Sequence, residues 1–366
     1  MKNQLGAAAL EHIARCFSQI DSNFKQQEFY AQAILELDKL ELKQRVMLII
    51  ETLHDYLPAD FIKTADLLKQ LPRVWQQLDP EQKISSFAAW PVIDYASIYG
   101  LAHPQQSLAV LKTLTHLFSA EFAIRAFIIK HPDYCHSQFT QWIKDDSEHV
   151  RRLVSEGTRP RLPWGLQLKP FIKDPSVNIP LLSALKDDPS LYVRRSVANH
   201  LNDISKDNPA LLVDICQRWN EDASQDVQWI IKHATRSLVK AGHPEVLSLL
   251  GYKQELHLSP VILHINNTQV QLGDYLEFTL DFNSTCAKPQ KLVIDFAIHF
   301  VKANGQQKAK VFKLKSLSLG AKQACSLQKR HGIKAITTRQ YYAGTHLLEI
   351  VINGQSVASQ VFELSI

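Results

Sequence analysis

The sequence has few of the residues and motifs that mark several large protein classes. Its five cysteines form no CxxC pair and leave one without a partner, which argues against a disulfide framework and a thiolate zinc site. This usage predicts a reducing, cytoplasmic location. No apolar run approaches the roughly 20 residues of a membrane-spanning helix, and the amphipathic first helix lacks the apolar core of a secretory signal.

Common catalytic motifs are missing as well. The chain has no P-loop, no GxGxxG after a strand, no HExxH and no GxSxG. His131, His136 and His149 are spaced too loosely to suggest a metal site. We therefore expect neither a metal nor a cofactor.

Acidic residues are missing from one long stretch of the C-terminal part. Residues 1–252 carry 28 basic and 29 acidic side chains, whereas residues 253–366 carry 13 and 7. Between Phe296 and Leu348 there are ten Lys or Arg and no acid. Such a stretch forms either a solvated face or a surface that binds a polyanion.

The strongest positive feature is a phrase that occurs twice. Asp145–Gly157 reads DDSEHVRRLVSEG and Asp187–Asp203 reads DDPSLYVRRSVANHLND, and a weaker third copy begins at Glu221. Recurrence of one unit after 43 and 34 residues is typical of a helical-repeat solenoid. Because such repeats stack in register, residues at one repeat position meet on one concave wall.

Two domains are predicted. Residues 1–252 read as helices broken at Pro- and Asp-containing turns, including EFAIRAFIIKH at 121–131. After residue 253, about seven short segments rich in β-branched and aromatic residues predict an antiparallel β-sandwich of immunoglobulin-like type. The fold class is thus multidomain α and β: an all-α HEAT-like solenoid at 1–252, then a sandwich at 253–366.

One segment interrupts the helical pattern. GTRPRLPWGLQLKPF, at residues 157–171, contains three prolines, two glycines and a tryptophan, so it predicts a loop with a fixed, extended path. The loop also carries Arg159, Arg161 and Lys169. Loops of this length within a compact domain are often functional.

Carboxylates and arginines share faces of the repeat helices. In the second copy, Arg195 and Asp203 lie on a face away from the apolar stripe, and in the first copy Arg152 and Glu156 are four residues apart. Glu121 fits the same wall one repeat earlier. Taken singly, each such residue is more often a surface ion pair or a cap than a site residue. Their combination beside the Trp-bearing loop favours a site.

RRLVSEGTRPRLPWG followed by RRSVANHLNDISKDNP resembles the AlkC branch of the HEAT-repeat DNA glycosylases, over roughly residues 1–250. The tail is similar to the immunoglobulin-like domain found in part of that branch. The resemblance implies a monofunctional glycosylase that removes N3-alkylated bases, 3-methyladenine and 3-methylcytosine, from duplex DNA.

The resemblance also implies residue roles. Glu121, Glu156 and Asp203 are its carboxylates; Asp203 and Glu156 are favoured closest to the sugar, and the assignment among the three stays open. Trp164 packs against the lesion nucleotide or its sugar. The DNA-binding residues it implies are Arg152, Arg159, Arg161, Lys169 and Arg195 in the helical region and Lys308, Lys310, Lys313 and Lys315 in the tail.

An alternative from another class is a non-catalytic HEAT scaffold that binds DNA or protein. It predicts binding without base release, and the carboxylates at 156 and 203 count against it. For the enzyme, the expected partner is double-stranded DNA with alkylated bases, and we expect a monomer with no membrane association.

Overall fold

The computed structural model of the protein describes residues 2–337 and 339–366. The chain forms two compact units: the first comprises the chain up to Asn208 together with Ala223–Ile230, and the second comprises Pro209–Asp222 and Ile231–Ile366. The predicted division at residue 252 follows the change from helices to strands and stays a prediction.

Helices occupy the chain from Ala7 to Leu249, with single 3₁₀ turns at Lys2–Gln4, Ser86–Ala89 and Ser176–Asn178. Within the described residues, no helix is long and apolar enough to cross a membrane. The helices are α1 Ala7–Ile20, α2 Gln26–Leu37, α3 Leu42–Tyr56, α4 Phe61–Leu68, α5 Leu71–Leu78, α6 Trp90–Tyr99, α7 Pro104–Leu114, α8 Ile124–Lys130, α9 Pro132–Trp142, α10 Glu148–Gly157, α11 Lys169–Lys173, α12 Ile179–Leu185, α13 Leu191–Ile204, α14 Pro209–Asn220, α15 Gln225–Ala234, α16 Arg236–Lys240 and α17 Pro244–Leu249.

The repeated phrase forms the turn before α10 and α13 and nearly the whole of both helices. Asp145 and Asp188 each accept a hydrogen bond at 2.9 Å from the backbone N–H of the serine two residues later, which shapes the turn into the helix. Arg151 and Arg194 donate back to the carbonyls of these aspartates at 2.8 and 2.7 Å. The shared sequence therefore encodes one helix start used twice.

The same two arginines also connect successive repeats. Arg151 binds both carboxylate oxygens of Asp188, at 2.6 and 3.0 Å, and Arg194 reaches Asp226 at 2.9 Å. The first arginine of each VRR triplet thus links its own repeat to the next, which explains why the motif recurs. The helical-repeat prediction is confirmed.

One predicted helix starts later than its sequence pattern suggested. EFAIRAFIIKH was expected to be helical from Glu121, but α8 begins at Ile124 and residues 121–123 form a turn. Ser119 Oγ donates to Glu121 Oε2 at 2.8 Å within this turn. Helix α10 includes Gly157, and the predicted loop runs from 158 to 168 before α11.

The C-terminal strands form two sheets with the orders β1-β3-β6 and β2-β8-β7-β4-β5. Phe278, Phe296, Ile350 and Phe362 belong to the apolar core of this unit. Among the described residues, all strand pairs are antiparallel except the short pair β2–β8. The sandwich prediction is confirmed, with eight described strands instead of about seven. The strands are β1 Ile262–Ile265, β2 Gln269–Gln271, β3 Tyr275–Asn283, β4 Gln290–Val301, β5 Gln307–Leu319, β6 Ala324–Gly332, β7 Gly344–Ile352 and β8 Gln355–Ser365.

The lysines at 308, 310, 313 and 315 lie on β5, an edge strand, and all are exposed. Opposite β5, the register shifts between Ile294 and Asp295. Because cross-strand partners share a face of the sheet, Lys313 lies on the face of Asp295, whereas the other three lie on the face of Ile294, Ile298 and Phe300. The four lysines therefore do not form the single face that the sequence suggested.

Candidate nucleic-acid and catalytic site

Two of the three predicted carboxylates are buried next to each other in the first unit. Glu156 lies in the last turn of α10 and is 5% exposed, and Asp203 lies in the last turn of α13 and is 1% exposed. An isolated buried carboxylate is unfavourable, so each needs hydrogen bonds or a cation. Both carboxylates are bonded to the same cation, Arg159.

Arg159 joins these carboxylates. Its Nη1 donates to Glu156 Oε1 at 2.5 Å and its Nε donates to Asp203 Oδ2 at 2.8 Å. Burial lowers the pKa of Arg159, but the neighbouring carboxylates of Glu156 and Asp203 raise it above its usual range, so the guanidinium stays charged. The 158–168 loop thus places one cation between acids from two successive repeats.

Glu121 joins the group through a second arginine. Arg152 Nη1 donates to Glu121 Oε2 at 2.9 Å, and its Nη2 lies 3.7 Å from Glu156 Oε2. The guanidinium also lies over the ring of Tyr192, 4.5 Å from its centre. Lys206 completes the line with a 2.7 Å bond to Asp203 Oδ1. Acids and cations thus alternate in the order Glu121, Arg152, Glu156, Arg159, Asp203 and Lys206.

A serine missed by the sequence reasoning also fixes Glu156. Ser196 Oγ, from α13, donates to Glu156 Oε2 at 2.6 Å and accepts from Ser155 Oγ at 2.6 Å. Both Glu156 oxygens are therefore held, one by Arg159 and one by the next repeat. Ser196 is four residues beyond Tyr192 on its helix, so their shared face could have pointed to it.

His200 supports the same region from inside. It is fully buried, and its Nδ1–H donates to the Ser155 carbonyl at 2.9 Å. Burial lowers the pKa of His200 to about 4. The imidazole is consequently neutral at ordinary pH and acts as a fixed donor, a role that no sequence motif signalled.

Arg125 anchors the loop and was also missed. It is 0% exposed; its Nε donates to the Leu166 carbonyl at 2.5 Å and its Nη1 donates to the Gly157 carbonyl at 2.8 Å. One side chain of α8 thus holds both ends of the segment that carries Arg159 and Trp164. The signal in the sequence was a lone arginine within the apolar run AIRAFII.

Trp164 is presented at the tip of this loop. Its side chain is 66% exposed, and its backbone has a φ of 64°, a left-handed conformation that is strained for a tryptophan. Gly165 N–H donates to the Leu162 carbonyl at 3.2 Å, which closes the turn. A large aromatic ring held out in a strained turn is suited to contact a ligand.

The remaining predicted DNA contacts of this unit differ in accessibility. Arg195 and Lys169 are exposed, and Arg161 is half-buried with both carboxylate oxygens of Asp207 at 2.6 and 2.7 Å. Arg159 differs from the exposed backbone contact that the sequence predicted, because it is only 7% exposed and is bonded to carboxylates. Among the described residues, no cluster of three His, Cys, Asp or Glu is placed to hold a metal ion.

Known proteins resemble this chain over nearly its whole length. A family model described as the C-terminal Ig-like domain of the uncharacterised protein YhaZ matches residues 261–366. The uncharacterized protein YhaZ of Bacillus subtilis (strain 168) is 37% identical over 326 residues, which cover 89% of this chain and 88% of that protein.

A solved structure matches both units. The Pseudomonas fluorescens alkylpurine DNA glycosylase AlkC, bound to DNA containing an abasic site analog, aligns with a TM-score of 0.91 and 37% identity and covers 100% of this chain and 99% of that chain. The chain therefore belongs to the AlkC family of helical-repeat alkylpurine DNA glycosylases with a C-terminal immunoglobulin-like domain.

Proposed function

We propose that the protein is a monofunctional DNA glycosylase that hydrolyses the N-glycosidic bond of alkylated purines, above all 3-methyladenine, and also of 3-methylcytosine. The observation that carries this proposal is the position of Glu156 and Asp203, which come from successive repeats and are bonded to one guanidinium. The similarity to a DNA-bound alkylpurine glycosylase supports the same activity.

The proposed reaction depends on negative charge near the sugar and does not need a general acid to protonate the departing base. An N3-alkylated adenine is cationic, so when the C1′–N bond breaks the base takes the electron pair and leaves neutral, without a proton from the enzyme. Positive charge grows on the deoxyribose, and fixed carboxylates stabilise it, as in glycoside hydrolysis. Water adds to C1′ and gives its proton to a carboxylate, leaving an abasic site in an uncut strand.

The three carboxylates have different surroundings, and these suggest an order. Glu156 and Asp203 are nearly buried and bonded to Arg159, so we place them closest to the sugar. Glu121 has a side chain that is 14% exposed and is held by Arg152. We place Glu121 farther from the sugar, where it adds negative charge on the side of the preceding repeat.

Trp164 contacts the lesion nucleotide or its sugar in this proposal. Its exposed ring offers a π face that attracts a cationic base more strongly than a neutral one. Phosphates beside the lesion are bound by Arg152 and Arg195, and the flanking backbone by Arg161 and Lys169.

The sandwich supplies a second grip on the DNA. The exposed lysines of β5 and the absence of acids between Phe296 and Leu348 favour a sequence-independent contact with phosphates. The proposed partner is double-stranded DNA with alkylated bases, bound by a monomer in the cytoplasm.

The direct test is base release from methylated duplex DNA by the full chain. We expect free 3-methyladenine and 3-methylcytosine in solution and abasic, uncut strands that break only on heating with alkali. DNA binding with no released base from any methylated substrate would favour the scaffold alternative and refute the glycosylase proposal.

A further inference from the structure

Arg159 occupies an unusual position for a residue expected to bind a DNA backbone. Its two bonds to Glu156 and Asp203 use Nη1 and Nε, which lie on different edges of the guanidinium plane. The acids lie three and 44 residues away in sequence, on α10 and α13. The arginine therefore sets the separation of two carboxylates that belong to different repeats.

We propose that Arg159 is a positioning residue that offsets the repulsion between the Glu156 and Asp203 carboxylates and aims both at the same point. This inference rests on the proposed glycosylase activity, because it concerns the carboxylates of that site. It gives Arg159 a role distinct from a phosphate contact.

The physical reason is repulsion between like charges. Two buried carboxylates that share a site do not both ionise readily, and one of them then binds a proton. A guanidinium between them removes this repulsion and adds a directed bond to each. A protonated member would offer the sugar one negative charge where the reaction uses two.

The other charged groups around the pair do not replace Arg159. Arg152 approaches Glu156 only to 3.7 Å and is bonded to Glu121, while Lys206 binds Asp203 alone and its side chain is 45% exposed. The titratable and charged groups that face the pair are Glu121 before α8, Arg125 on α8, Arg152 on α10, Arg161 in the loop, Tyr192 and His200 on α13, and Lys206 after α13.

The test is the pH dependence of the single-turnover rate of base release for the Arg159→Gln variant on saturating methylated duplex DNA. We expect the rate at pH 7 to fall at least tenfold. We also expect its decline on the acid side to move to higher pH by about one unit or more, since an opposite charge at this distance changes ionisation by that much. Raising the pH should restore part of the lost rate.

Two further variants separate charge from shape and from DNA binding. Arg159→Lys keeps a positive charge but cannot bond both acids with one planar group, so we expect a lower rate with the acid decline left where it is in the wild type. Arg161→Gln removes the same charge from the same loop, two residues away. It should weaken DNA binding without moving the acid decline.

The outcomes are distinguishable. If Arg159→Gln weakens DNA affinity while its rate at saturation and its pH dependence match the wild type, Arg159 is a backbone contact and the inference fails. An equal loss at every pH also overturns it. If Arg159→Gln does not fold, a rate for Arg159→Lys equal to wild type overturns it. An inactive wild type would instead refute the proposed function.

Discussion

Cations are used in opposite ways in the two units of this protein. In the helical unit, Arg159 is buried, Arg152 is half-buried, and both are bonded to carboxylates at 2.5 to 2.9 Å. On β5 of the sandwich, the lysines at 308, 310, 313 and 315 extend into solvent. Buried charges are held in one geometry and weakly screened, whereas exposed charges are mobile and screened by salt. The first arrangement suits chemistry and the second suits affinity.

The largest effect on the rate of base release is expected at the two buried carboxylates of the helical unit. Asp203→Asn and Glu156→Gln each keep the shape of the side chain and remove its negative charge, so we expect base release to fall about 10²–10³-fold, as when one group that stabilises a transition state is lost. DNA affinity should stay within a few-fold of wild type. Single-turnover assays with a parallel binding titration measure both. Release at the wild-type rate by both variants would show that the site is misplaced.

Burial in the helical unit also predicts a loss of stability in acid. The pKa of His200 is lowered to about 4 when folded, against about 6.5 when unfolded, so below pH 6.5 the unfolded state binds more protons. Stability should fall by about 3 kcal/mol between pH 6.5 and 4 from this group. The His200→Asn variant keeps a hydrogen-bond donor but does not titrate. Denaturant melts of this variant should therefore not show this loss of unfolding free energy between pH 6.5 and 4.

An exposed histidine of the sandwich unit serves as the control. The side chain of His257 is 45% exposed, and His257→Asn should retain the acid dependence of the wild type. If His200→Asn and the wild type lose stability equally between pH 6.5 and 4, the buried imidazole is not the cause.

The exposed lysines should affect affinity and its salt dependence, with the rate at saturation unchanged. Changing Lys308, Lys310, Lys313 and Lys315 to Gln together should weaken DNA binding about tenfold or more and reduce the slope of log K against log salt by about 0.9 for each lost phosphate contact. Because Lys313 lies on the other face, the triple change at 308, 310 and 315 should account for most of the effect. An unchanged slope would mean that these lysines only solubilise the strand.

Trp164 is exposed although it belongs to the helical unit, so it is an exception to the contrast between a buried site and an exposed binding surface. At a φ of 64°, glycine avoids the strain that alanine keeps, so Trp164→Gly should be more stable than Trp164→Ala by roughly 0.5–1 kcal/mol. Both should lose lesion binding. At Leu166, which is 60% exposed and lacks a positive φ, glycine should instead be the less stable of the two.

The fold class was predictable because it depends on local patterns. The repeated VRR phrase and the change from helical spacing to short β-branched segments are visible within short windows of sequence, and the helices and strands follow them. Boundaries are less predictable: the helical spacing predicts a helix from Glu121, whereas α8 starts at Ile124 because residues 121–123 form a turn.

The site was only partly predictable. Repeat position singled out Glu156 and Asp203, and the structure brings both to one cation. The contacts that Arg159, Ser196 and Arg125 make were not predictable, because in each case the two partners lie 40 or more positions apart in the sequence. Such contacts depend on how far each repeat is rotated on its neighbour.

The sequence by itself determined where helices give way to strands, which acids lie on the repeat helices and where basic residues accumulate. All of these follow from spacing along the chain and from side-chain polarity. Only the tertiary structure decided that Arg159 lies between two acids and that Lys313 faces away from its neighbours on β5. The reason is that repeat stacking and a one-residue shift of register act across the chain, where a single residue changes which groups meet.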